Sequence, residues 1–216
     1  MEITVKQMMQ IEENGHHMGF LRKLMMENAG AATARYLFET YENLQEKKIT
    51  VFAGLGNNGG DAFVVTRHLA SFGCKPDVIL LGNPDKIKTE EAGSNWKILE
   101  KMNSINLIVT SDPDQVDINA DIIVDGILGT GISGKIREPY ATAIDLINKL
   151  QVFVLAVDVP SGLDPDSGTV ADKCVKADVT ITYHKMKIGM PKRMDMCGKI
   201  IVEKIGIPPE AEVGVL

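Results

Sequence analysis

No run in this 216-residue sequence approaches the length of a membrane span, and Met1-Glu2-Ile3-Thr4-Val5-Lys6-Gln7 lacks the basic-then-apolar order of a signal peptide. Membrane insertion and secretion are therefore not expected. Cysteine is scarce: Cys74, Cys174 and Cys197 are odd in number, far apart and without a CxxC pair. That speaks against a disulfide framework or a zinc site and fits a cytoplasmic location. Basic blocks are missing too. The net charge of -6 comes from interleaved acids and bases, which indicates neither a nucleic-acid groove nor a polybasic membrane patch, so small-molecule partners are expected. There is no linker, internal repeat or low-complexity segment. Ser161 follows Pro160 and does not stand in a GxSxG elbow, so a hydrolase is not expected. What remains is 44% hydrophobic and 24% charged residues, ordinary for a globular chain with one sizeable core, and residues 1–216 are read as a single domain.

Thr4 and Gln7 form a capping-box pattern, and Val5, Met8, Met9 and Ile11 recur at helical spacing, predicting a first helix interrupted by Gly15 and Gly19. A second helix is predicted from Leu21 to about Leu44, with Ala29-Gly30-Ala31-Ala32 as a flat surface for close packing. The pattern then changes. Ile49–Ala53, Val78–Leu81, Leu107–Val109, Ile122–Val124, Val152–Val157 and Val179–Thr182 read as strands, several of them apolar throughout, as strands buried on both faces are. Asp61–Phe72, Thr89–Met102 and Ala141–Leu150 read as helices between them. The expected fold is α/β: Rossmann-like, a doubly wound, mostly parallel sheet with helices on both faces and an N-terminal helical extension. Gly198–Lys204 is expected as a last strand, antiparallel at an edge.

In such a sheet, ligands bind beyond the carboxyl ends of the strands, where the strand order reverses. The first strand runs into Gly54-Leu55-Gly56-Asn57-Asn58-Gly59-Gly60-Asp61, whose glycines match the dinucleotide fingerprint. That fingerprint wants an acid at the tip of the second strand for the ribose, and Leu81-Gly82-Asn83-Pro84 has none, with Asp85 beyond a proline. Asp61, expected in the first turn of the next helix, would also occupy the dipole end that a pyrophosphate uses. Asn57, Asn58 and Asp61 can be read as turn and helix-start residues. They can equally be read as ligands, with Asn58, Asp125 and Ser161 surrounding a hard cation; a set with few charges suits a monovalent ion better than a divalent one.

Asp158 ends the apolar run Phe153–Val157, so partial desolvation suits it to acid/base work, the alternative being a cap on Pro160-Ser161-Gly162. A second glycine-rich loop, Gly129-Thr130-Gly131-Ile132-Ser133-Gly134-Lys135, either cradles a phosphate with its amides or is a surface turn. His16, His17 and His68 are read as structural or solvated, His68 having no partner on its helix. His184 is expected at the border of the crevice. Lys187 either neutralises a phosphate there or is solvated.

Taken together, Leu24 to Gly30, Gly54 to Asp61, Val124 to Gly131 with Arg137-Glu138-Pro139, Ala156 to Asp164, and Ala177 to Thr180 leading to Lys187-Ile188-Gly189 resemble the NAD(P)H-hydrate epimerases, the YjeF N-terminal domain family. The resemblance spans nearly the whole chain in family order. It implies interconversion of the R and S epimers of hydrated NADH and NADPH (NADHX and NADPHX), feeding a separate S-specific dehydratase. By residue matching it implies that Asn57, Asn58, Gly59, Gly60, Asp61, Gly129, Thr130, Gly131, Ile132, Ser133, Gly134, Lys135 and Tyr140 bind the hydrate. It places Asp158 beside the reacting ring and makes the ion on Asn58, Asp125 and Ser161 potassium; a mechanism consistent with this has Asp158, protonated, helping the C6 hydroxyl leave as water. A homodimer is implied as well.

Some eukaryotic members carry a lysine where this chain has Ser133, which leaves that role to Lys135 or to no residue. The family also occurs fused to the dehydratase, so the chain is either a stand-alone epimerase or the first half of a fusion. Two other classes stay open at this stage. A non-catalytic nucleotide- or protein-binding module would keep the glycine loops but has no use for Asp158, and an NAD-dependent oxidoreductase lacks its ribose acid.

Overall fold

Thr4 starts the first helix as its spacing to Gln7 predicts. Its hydroxyl accepts from Gln7 N–H at 3.1 Å, and the Gln7 side chain accepts from Thr4 N–H at 2.9 Å, closing a reciprocal cap. In the computed structural model, which describes residues 1–131, 134–170 and 172–216, that helix is α1 (Val5–His17). It runs through Gly15, where a Cβ would come within 2.9 Å of Met25 Cε, so this glycine serves close packing and does not break the helix. The second helix, α2 (Arg22–Thr40), stops short of the predicted Leu44, which is buried from a short 3-10 turn.

The chain continues as β1 (Ile49–Ala53), α3 (Asn57–Ser71), β2 (Asp77–Leu81), α4 (Glu90–Leu99), β3 (Asn106–Thr110), β4 (Ile122–Gly126), α5 (Tyr140–Lys149), β5 (Phe153–Val157), β6 (Val179–Tyr183), α6 (Met194–Cys197) and β7 (Lys199–Glu203). The seven strands form one sheet in the order β3-β2-β1-β4-β5-β6-β7, and every pairing is parallel. The antiparallel expectation for the last strand is thus corrected. β6 reaches β7 through a crossover that contains α6, and a crossover returns the chain parallel.

Alternation along the strands divides the interior into two cores. Ile49, Val51 and Ala53 of β1 join one with Met8, Met25, Leu37, Phe63 and Trp96 of α1 to α4; Phe52 joins the other with Ala143, Ile144 and Ile147 of α5. The central strands β1, β4 and β6 are therefore buried in every residue, while the edge strands β3 and β7 are partly exposed. The flat Ala29–Ala32 surface packs as expected: a Cβ on Gly30 would lie 2.4 Å from Val64 Cβ of α3.

Helix α3 begins at Asn57, four residues earlier than predicted, so Asp61 stands in its second turn and not at its N-terminus. The fingerprint glycines separate by cause. A Cβ on Gly54 would lie 1.9 Å from Ile127 O and one on Gly59 2.0 Å from Gly54 O, whereas one on Gly56 would meet nothing within 4 Å. Gly54→Ala should accordingly cost about 3 kcal/mol, the upper end for overpacking, because the obstacle is backbone. Gly56→Ala should cost less than about 1 kcal/mol, a helix-start effect only. Urea denaturation midpoints at unchanged m value check both, and equal losses would show that the close approach at Gly54 does not matter.

Candidate active site

β1 and β4 are neighbours in the sheet, but the chain leaves β1 toward β2 and leaves β4 toward β5, so the strand order reverses between them. A cavity of about 150 Å³ opens beyond these tips. It is lined from α1 by Val5, Met8, Met9 and Glu12, from the start of α3 by Asn57, Asn58 and Asp61, and from the strand-end loops by Gly129, Thr130, Asp158 and Lys187.

Asp158 follows β5 with φ 61°, a left-handed conformation that costs most residues energy but that aspartate and asparagine tolerate. Its N–H still donates to Ile181 O at 2.8 Å, so the sheet holds the residue while its carboxyl turns into the cavity. There Lys187 Nζ donates to Asp158 Oδ1 at 2.5 Å and to Thr182 Oγ1 at 2.9 Å, and Thr182 Oγ1 donates to the same carboxylate oxygen at 3.0 Å. Lys187 is neither solvated nor free for a phosphate: its side chain is 1% exposed. The ammonium and the threonine hydroxyl together fix the orientation of this carboxyl in the cavity.

Two further carboxyls share the cavity. Burial, reinforced by the charge of Asp158 and opposed by Lys187 and Arg22, pushes Glu12 up to about 7. Burial, then Asp158 and Glu12, holds Asp61 well above the usual carboxylate range, with Lys187 opposing. Tyr183 completes this side, its hydroxyl 2.8 Å from Thr33 Oγ1.

Asn58, Asp125 and Ser161 are all buried and meet around Leu128. Ser161 donates through Oγ to Asp125 Oδ1 at 2.6 Å and through N to Oδ2 at 2.8 Å; Leu128 N donates to Ser161 Oγ at 2.8 Å, and Asn58 Nδ2 to Leu128 O at 3.1 Å. Burial pushes Asp125 up to about 6 against these hydrogen bonds, and no cation pairs with it among the described residues. One buried carboxylate with an amide oxygen, a hydroxyl and a backbone carbonyl fits a monovalent cation. No cluster of three His, Cys, Asp or Glu fit for a transition metal occurs among the described residues.

The remaining predicted residues divide. Gly59 and Gly60 do not line the cavity but admit Gly54 O and Met26 Cε, which a Cβ would approach to 2.0 and 2.6 Å. Gly131, Gly134, Lys135 and Tyr140 lie outside the lining, and Ile132 and Ser133 lie outside the described residues. His68 meets a carboxylate from another helix, Glu27 Oε1 of α2 at 2.8 Å. His184 is away from the cavity, buried with Nε2 at 3.0 Å from Glu212 Oε1, and burial with the nearby Lys204 charge holds it below the usual imidazole range. Glu12 and Tyr183 were not singled out from sequence. Glu12 had one legible signal, an acid on the helical stripe of Val5, Met8 and Met9.

Removing Lys187 while keeping Asp158 leaves a largely buried carboxylate uncompensated. Lys187→Met should cost roughly 3 kcal/mol, the low end for a broken buried pair because the Asp158 side chain is 17% exposed. Adding Asp158→Asn should restore part of it. A double-mutant cycle by urea denaturation measures the coupling, and strictly additive losses would count against the pair.

The sequence profile described as YjeF-related protein N-terminus matches residues 22–189. A Nitrosopumilus maritimus protein named NAD(P)H-hydrate epimerase is 58% identical over all of both chains, and a Cenarchaeum symbiosum protein of the same name is 60% identical, again over all of both. An Archaeoglobus fulgidus protein named bifunctional NAD(P)H-hydrate repair enzyme is 43% identical over 97% of this chain and 42% of its own length. The crystal structure of yeast ynu0 shares the fold, with a TM-score of 0.77 at 23% identity over 94% of this chain and 88% of that one. With its strand-end site and a profile match running from α2 to just past Lys187, the chain belongs to the YjeF-related N-terminal family.

Proposed function

We propose that this protein is an isomerase that interconverts the R and S epimers of hydrated NADH and NADPH. The observation that carries the reading is Asp158, aimed by a left-handed backbone into the cavity at the sheet's switch point and held there by Lys187, in a chain 58% and 60% identical end to end to proteins named for that activity. The cavity is smaller than the several hundred Å³ of a site that swallows a whole ligand, and it suits one ring with the rest of the dinucleotide running outward. The tip of β2 supports the same choice. Leu81 leads through Gly82 to Asn83 and Pro84 with no acid for an adenosine ribose, so the nucleotide is read as substrate and not as a redox cofactor.

Epimerisation exchanges the hydroxyl at C6 of the ring between its two faces. The C6–O bond breaks as the ring nitrogen lone pair forms a C=N bond and the hydroxyl leaves with one added proton as water. Water then adds to the opposite face and gives up a proton. Asp158 receives that proton for one epimer and, by reversal of the same path, donates it for the other. Asn57, Asn58, Asp61, Gly129 and Thr130 bind the hydrate around it; Gly131, Gly134, Lys135 and Tyr140 are the outer part of the same binding set, to which Ile132 and Ser133 are assigned by sequence alone. Asp158→Asn keeps the left-handed backbone acceptable and should reduce interconversion of purified R-hydrate by at least about a hundredfold with an unchanged circular dichroism spectrum. A near-normal rate on chromatography of the epimers would remove Asp158 from the mechanism.

The ion on Asn58, Asp125 and Ser161 is read as potassium, which would screen the carboxylate behind the Gly129 loop. Without it, the folded state favours the neutral Asp125 carboxyl. That contribution is present below about 4 and is lost as pH rises through about 6. Potassium binds the ionised form, so the gain in Tm from potassium over choline chloride at equal ionic strength should be larger at pH 7 than at pH 5. An equal gain at both would argue against this site.

The reading also makes the protein a cytoplasmic homodimer that supplies a separate S-specific dehydratase. Three buried free cysteines and exposed Met9, Leu21, Leu24 and Ile98 on α1, α2 and α4 support these assignments.

A further inference from the structure

Moving a hydroxyl from one face of a ring to the other adds a proton to the departing oxygen on one face and removes one from the arriving water on the other, and Asp158, engaged by Lys187, serves one of these faces. Resting on the epimerase reading, we propose that Glu12 of α1 is the second catalytic acid/base group, serving the C6 hydroxyl on the ring face that Asp158 does not serve.

Glu12 enters the same cavity from a different element, at the end of the stripe Val5, Met8 and Met9 that offers an apolar wall to a ring. Its helix neighbour Glu13 is engaged by Arg22 and His17, but the charges that face Glu12 act on it only through space. Those are Asp61 from α3, Asp158 after β5, Lys187 after β6 and Arg22 at the start of α2; Glu91 of α4 lines the cavity as well. Glu212, on the C-terminal turn packed against α1, is committed to His184 and Lys185. Among the described residues Glu12 has no hydrogen-bond or ion-pair partner; such an acid on an apolar helix face costs folding energy, and burial keeps its proton to about 7, where it can both give and take one. Asp158 and Glu12 thus form a pair of carboxyls on one cavity, the lysine engaging Asp158 and not Glu12.

In one direction the Glu12 proton goes to the C6 hydroxyl, the C6–O bond breaks and water departs, while the ring nitrogen lone pair forms C=N. A second water then bonds to C6 from the other face, its proton passes to Asp158, and the electron pair returns to nitrogen. No oxidant or reductant is consumed. The reverse direction uses the same two groups with roles exchanged, and between turnovers the proton passes from Asp158 back to Glu12 through cavity water.

The test uses the full chain and the purified R-hydrate of NADH, with kcat and KM measured from pH 5.5 to 9 by chromatography of the epimers. The wild type should lose kcat as pH rises through about 7, where Glu12 gives up its proton. E12Q should lower kcat at least about a hundredfold, change KM less than about threefold and abolish the alkaline fall, while E12D keeps that fall at a reduced rate. A wild type that accelerates epimerisation without such a fall overturns the proposal even if E12Q proves unfolded. So does E12Q within about threefold of wild type, or a slow E12Q that keeps the fall, since a merely structural role would leave the profile unmoved. A wild type that does not accelerate epimerisation at all overturns the epimerase reading itself, before any substitution is made.

Discussion

The contact between Lys187 and Asp158 is the constraint around which the rest of the site is arranged. An ammonium with 1% of its side chain exposed is tolerable only where its hydrogens are taken up, and here Asp158, Thr182 and the Tyr183 carbonyl take them. The lysine is in turn fixed by backbone. Ile3 N–H donates to Met186 O at 2.9 Å and Ile188 N–H to Ile3 O at 3.1 Å, so the residue just before α1 clamps the segment that carries Lys187. The same N-terminal strand residue therefore sets the lysine below the cavity and the helix that walls it. Asp166, whose carboxylate accepts from Val5 N–H at 2.8 Å, ties the start of that helix to the loop after β5.

Electrostatics then sorts carboxyls of one chemical type into different roles. Asp158 has an ammonium; Glu12 and Asp61 are raised by burial and by the charge of Asp158, with Lys187 opposing at a distance; Asp125 lies behind them with three hydrogen bonds and, among the described residues, no cation of its own. Several carboxyls around one lysine would repel one another if all were ionised, so the cavity favours a partly protonated state near neutrality. That is the state an exchange of hydroxyl for water requires. The left-handed backbone at Asp158 is held by the sheet bond to Ile181 and the contact with Lys187, which together turn its carboxyl into the cavity.

Much of the fold was legible because buried parallel strands write themselves as apolar runs. β1 ends where predicted, and the other strands differ by a residue or two, since hydrogen-bonded pairing carries Asp125 and Gly126 into β4 although neither is apolar. The start of α3 was misplaced because Asn57 to Gly60 look like a turn, while their helical form is imposed by the tight approach of Gly59 to Gly54 and of Gly126 to Ala62. The direction of β7 was not legible, because the crossover before it carries only a four-residue helix, α6. Histidines and lysines were the least readable residues. Their roles depend on what lies across the fold: Glu27 for His68, Glu212 for His184, Asp158 for Lys187.

By itself the sequence determined that the chain builds an α/β fold, that three strand ends deliver Asn58, Asp125, Asp158 and Ser161 to one edge, and that the tip of the second strand lacks the ribose acid of a redox site. Periodicity and strand-end position are local properties, and local properties survive in one dimension. Only the tertiary structure decided that Glu12, 146 positions before Asp158 in the chain, faces the same cavity, and that Lys187 is a buried partner and not a solvated one. Proximity across the fold sets desolvation and charge coupling, and these decide which carboxyl keeps its proton.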